Sequence, residues 1–161
     1  MQKVINAGNA SAPQVFASNR LQIVVGAGNP KGIHGLADLA RPGLVVVLCA
    51  PRVPCGTYSA QALGKAGVKV MPASQEQDVK SVVTKVGLGE ADAGIVYVTD
   101  VKAGGGSVQG VDIPDAENVV AQYPIAVLKG AANPAAADAF VAYVRSRAGL
   151  AVLQGFGFGP P

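Results

Sequence analysis

Residues 44–48, Leu-Val-Val-Val-Leu, are a continuous apolar run with three β-branched positions in succession. The run is too short for a helix and shows no polar alternation. It reads as a strand covered on both faces, as in a parallel sheet with helices above and below. Similar short runs recur at residues 21–25, 68–71, 93–97 and 123–128. Between them lie stretches with helical spacing. Residues 36–39 read as a short helix stopped by Pro42-Gly43, and residues 57–66 as a helix ending at Gly67. Ser74-Gln75-Glu76-Gln77 has the form of a capping box, ahead of a helix with Val79, Val82, Val83 and Val86 on one face. Asn133-Pro134 places a cap and a first-turn proline ahead of a helix to about residue 145, with Phe140, Val141 and Val144 turned inward. A last short helix is expected over 149–154, and Gly104-Gly105-Gly106 marks a loop. This alternation predicts an α/β fold with a mostly parallel sheet. Ligands of such sheets sit at the carboxyl ends of strands and the N-termini of helices.

Composition limits the function. In 161 residues, 50% are apolar and 14% charged, which suits a folded core and excludes disorder. The net charge of +3 comes from scattered basic residues with no aromatic interleaving, so no nucleic-acid partner is expected. No run approaches the length of a membrane span, and the first ten residues show no signal-peptide apolar core. A single histidine rules out four-ligand Cys/His zinc, and neither a metal site nor a cofactor is expected. No G-x-S-x-G, P-loop or G-x-G-x-x-G pattern occurs and no nucleophile sits beside a base, so the chain does not read as an enzyme. His34 is expected to face solvent. Asp92 reads as a helix-end or turn residue and Asp100 as a cap of the next segment. Cys49 and Cys55 flank the turn-rich Ala50-Pro51-Arg52-Val53-Pro54, which leaves two readings, a disulfide or two buried thiols.

An ordered set of segments carries a resemblance. It comprises Phe16-Ala17-Ser18-Asn19-Arg20-Leu21-Gln22-Ile23-Val24-Val25, Asn29-Pro30-Lys31-Gly32-Ile33, and the loop Cys49 to Tyr58. It continues with Gly89-Glu90-Ala91-Asp92-Ala93-Gly94-Ile95-Val96-Tyr97-Val98-Thr99-Asp100, Tyr123-Pro124-Ile125-Ala126-Val127-Leu128, and Gly155-Phe156-Gly157-Phe158. Together they resemble the C-terminal two-thirds of periplasmic molybdate-binding proteins, the solute receptors of molybdate ABC importers. The resemblance implies a type II periplasmic-binding-protein-like fold with two α/β lobes and the anion in the cleft between them. Residues 26–121 would form the second, complete lobe. Residues 1–25 and 122–161 would be the remainder of the first, whose opening strands and helices, with two serine-type contacts, are absent from this sequence.

The resemblance further implies molybdate or tungstate as ligand, the membrane subunit of an ABC importer as partner, and a periplasmic or cell-envelope location. Binding would be impaired in this shortened chain. The alternatives are a non-binding fragment, a homodimer formed through exposed first-lobe surface, or a receptor for another oxyanion. The family holds its dehydrated dianion with neutral donors, and three positions match. Cys55 would give its backbone N–H, Val79 a second N–H, and Tyr97 its hydroxyl. The residues alone also allow a stapled turn at Cys55, a core valine at Val79 and a core tyrosine at Tyr97.

Overall fold

The structure, a computed structural model, describes residues 1–10 and 12–161. It divides into two compact units: residues 20–120, and residues 1–19 with 121–161.

The larger unit is a sheet sandwiched between helices. Its strands are the distal part of β1 (Gln14–Gly26), β2 (Val46–Cys49), β3 (Ser74–Glu76), β4 (Ala93–Tyr97) and β5 (Val108–Asp112), in the order β3-β2-β4-β1-β5. β2 runs parallel to both β3 and β4. β1 runs antiparallel to β4, with Ile23 opposite Ile95, and antiparallel to β5, with Val24 opposite Gly110. The sheet is therefore mixed, which corrects the expectation of a mostly parallel one. β1 enters from the other unit and runs against its neighbours, an arrangement that the apolar pattern of a single strand does not encode.

The period of two along each strand sorts the core into two layers. Leu21, Ile23, Val25, Val46, Leu48, Ala93 and Ile95 face one side, where they meet Ala62 and Leu63 of α2 (Pro54–Lys65) and the 3-10 turn Leu36–Ala40. Val24, Val47, Cys49 and Val96 face the other, under Val82 and Val86 of α3 (Val79–Gly87). Gly94 lets α3 approach, since a Cβ there would come within 2.5 Å of Val82 Cγ1 and 2.8 Å of the Val47 carbonyl oxygen.

Several local expectations change. Ser74 does not cap a helix; Ser74–Glu76 is β3, paired in parallel with β2 from Val47↔Ser74 onward. The cap of α3 is Asp78, whose side chain accepts the Ser81 N–H. Residues 68–71 form no strand. Gly104 ends a further helix, α4 (Val98–Gly104), and residues 105–107 form a 3-10 turn rather than a free loop.

The second unit contains α1 (Gln2–Asn6), the first part of β1, β6 (Val120–Ile125) paired with β1, α5 (Pro134–Arg145) and α6 (Arg147–Gly155). Asn133 caps α5 as expected, accepting the Ala136 N–H. Phe140 is 62% exposed instead of turned inward, and α5 has no buried residue at all. Tyr123 stacks edge-on to both Phe16 and Phe158, which ties the C-terminal tail to this unit.

Candidate functional site

The parallel register of β2, β3 and β4 brings their carboxyl ends to one edge of the larger unit. Each strand leads into a helix there. β2 ends at Cys49 and α2 starts at Pro54; β3 ends at Glu76 and α3 starts at Val79; β4 ends at Tyr97 and α4 starts at Val98. All three sequence-predicted positions fall at these junctions. Cys55 is the second residue of α2, Val79 the first of α3, and Tyr97 the N-cap of α4. The first amides of a helix have no partner within it and carry partial positive charge, and those of Cys55 and Val79 are among them.

The start of α2 is tightly built. The Val53 N–H donates to the Ala50 carbonyl, the Thr57 N–H to the Val53 carbonyl, and the Thr57 hydroxyl to the Pro51 carbonyl. Gly56 is required, because a Cβ there would lie 2.1 Å from the Ala50 carbonyl oxygen and 2.6 Å from that of Cys49. Pro54 at the first helical position fixes the entry angle. The helix starts three residues earlier than the sequence reading placed it, which moves Cys55 from the turn into the first turn of helix.

Cys49 and Cys55 are both buried and both free thiols. The Cys55 Sγ lies 3.3 Å from the Ile95 carbonyl, and Ser59 donates its hydroxyl back to the Cys55 carbonyl at 2.7 Å.

Val79 is half-buried against the layer under α3, so its side chain belongs to the core while its backbone opens the helix. The core reading and the donor reading are therefore compatible. Tyr97 packs against both layers, with its ring 6.5 Å from that of Tyr58 and nearly perpendicular to it.

Three carboxylates stand near this edge, Glu76, Asp78 and Asp100. Each is engaged. Glu76 accepts from Lys85 Nζ at 2.6 Å and from the Ser74 hydroxyl at 2.6 Å, contacts that hold its carboxyl below the usual range. Asp78 accepts the Ser81 N–H at 2.8 Å, which lowers it likewise. Asp100 accepts the Tyr97 N–H, and burial pushes its carboxyl up. The sequence reading took Asp100 as a cap but missed Asp78. The available signal was an Asp directly before the apolar period 79, 82, 83 and 86.

Asp92 is the turn residue that was expected: it accepts the Val45 N–H at 2.8 Å and pairs with Lys31 at 3.4 Å. His34 is exposed. Among the described residues no group of three or more His, Cys, Asp or Glu is placed to hold a metal ion, and no helix is long and apolar enough to cross a membrane.

The pattern for bacterial extracellular solute-binding proteins matches residues 1–159. The chain belongs to that family. It has a type II periplasmic-binding-protein-like α/β fold. The molybdate-binding protein ModA of Mycobacterium tuberculosis is 46% identical over 162 residues, covering 100% of this chain and 62% of that protein. The chain therefore spans less than two-thirds of the length of this relative. In structure, it is similar to the substrate-binding domain assigned to a molybdenum ABC transporter of Clostridium difficile, with a TM-score of 0.83 at 23% identity over 100% of this chain and 72% of that one. It is also similar to the sulfate-binding protein SubI of Mycobacterium tuberculosis, with a TM-score of 0.75 at 23% identity over 99% of this chain and 64% of that one.

Proposed function

We propose that this chain carries the anion-contacting edge of a molybdate or tungstate receptor. The complete receptor would hand the anion to the membrane subunit of an ABC importer in the bacterial cell envelope. The observation that supports the reading is the placement of Cys55, Val79 and Tyr97 at the starts of three helices along one sheet edge. In this reading the Cys55 and Val79 amides and the Tyr97 hydroxyl donate to the oxyanion. All three are neutral, and fixed dipoles at helix starts bind an anion without a counter-ion. Residues 26–121 act as one lobe, and residues 1–25 with 122–161 contribute to the other.

Molybdate is favoured over sulfate because the 46% identical relative is named for molybdate, whereas the likeness to SubI is one of fold. Thermal unfolding followed by circular dichroism tests the assignment. Millimolar molybdate or tungstate is expected to raise the midpoint while equal sulfate does not. A larger shift with sulfate would reassign the receptor, and no shift with any of them would remove the anion-binding role from this chain.

A second reading is a self-associating fragment. It is favoured by the unburied α5, which together with α6 exposes Phe140, Tyr143, Val152 and Phe156. Light scattering that finds a dimer supports it, and a monomer at high concentration counts against it.

A further inference from the structure

Cys55 opens α2, yet its thiol lies in the layer on the opposite side of the sheet from Ala62 and Leu63 of the same helix. It shares that layer with Cys49, the last residue of β2. The backbone is drawn together at the same place, since the Cys49 and Ala50 carbonyls occupy the space a side chain on Gly56 would need. We propose that Cys49 and Cys55 are a reversible dithiol–disulfide pair that staples the end of β2 to the first turn of α2. The proposal does not depend on the identity of the ligand.

The free thiols are the reduced form of this pair. The hydrogen bond with the Cys55 sulfur holds the Cys49 thiol below its usual range, and the same bond, together with burial, pushes Cys55 up. In the exchange proposed, Cys49 attacks first. The oxidant is a low-molecular-weight or protein disulfide. The Cys49 thiolate attacks one of its sulfurs, forming a mixed disulfide and expelling one thiolate. Cys55 then loses its proton, attacks the Cys49 sulfur and expels the second. The pair gives up two electrons and two protons, and the oxidant leaves as two thiols. A family described as extracellular works where such oxidants keep disulfides formed.

The test uses the native chain treated with excess oxidised glutathione, then denatured and alkylated with iodoacetamide without reductant. The proposal expects loss of alkylation at both cysteines and a mass lower by two hydrogens. Trypsin cleavage at Arg52, which is exposed between the cysteines, should leave the two resulting peptides joined until reductant is added. The Cys49→Ser chain should keep Cys55 alkylated and yield no joined peptides. Alkylation of both cysteines after exhaustive native oxidation would overturn the staple. So would cross-links found only between chains.

Discussion

Asp100 accepts the backbone N–H of Tyr97 at 3.0 Å, so a carboxylate in the first turn of α4 also fixes the backbone of the tyrosine that ends β4. One short segment thereby closes a buried strand and starts a helix.

Replacing Tyr97 by Phe keeps the ring that packs on Tyr58 and removes only the hydroxyl. A hydrogen bond to a charged group contributes about 1.5–3 kcal/mol, so molybdate affinity should fall by roughly tenfold to a hundredfold. Calorimetry of the variant, beside its far-ultraviolet circular dichroism, checks that the loss is in binding and not in folding. Unchanged affinity would remove Tyr97 from the site.

Asp100 and Glu76 should respond to pH with opposite signs. Burial raises the folded-state value of Asp100, so its contribution is full below the ordinary carboxylate range and is lost as pH rises through the raised value. The Lys85 contact lowers Glu76, so its contribution is present above that range and is lost as pH falls through the lowered value. Asp100→Asn should therefore gain stability relative to the parent on the neutral side. Glu76→Gln should lose it there and converge with the parent in acid. Urea unfolding at several pH values measures both trends.

Gly56→Ala should be among the most damaging small substitutions in this chain. The new methyl would meet backbone oxygens of Ala50 and Cys49, which sit in a turn closed by Val53 and Thr57 and have little freedom to move. A cost of about 3 kcal/mol is expected from overpacking against fixed backbone. Chemical denaturation should show it as a lower midpoint, and a cost near zero would mean that the α2 start is looser than its hydrogen bonds imply.

The parts of this chain that were legible in sequence are those set by local pattern. The strand Ala93–Tyr97 has apolar residues and a flanking glycine loop, and Asn133-Pro134 announces α5 by side-chain capping and a fixed φ. The Ser74 region misled because Ser-x-x-Gln satisfies a helix-start pattern, while its true partner, β2, lies more than twenty residues away. The antiparallel runs of β1 against β4 and β5 were invisible for the same reason, since strand direction is a tertiary property. Phe140 looked like core because an apolar residue at helical spacing normally has something to cover it, and in this unit α5 is uncovered. At the site, the resemblance supplied Cys55, Val79 and Tyr97. The structure supplied what the sequence lacked, namely that all three stand at starts of helices on one edge of one sheet.

Titration calorimetry of the anion-stripped chain with molybdate, tungstate and sulfate bears most directly on the anion-receptor reading. The account predicts heat and saturable binding with the first two and a much weaker response to sulfate. Equal or stronger binding of sulfate, or no heat with any anion from a folded chain, would contradict it.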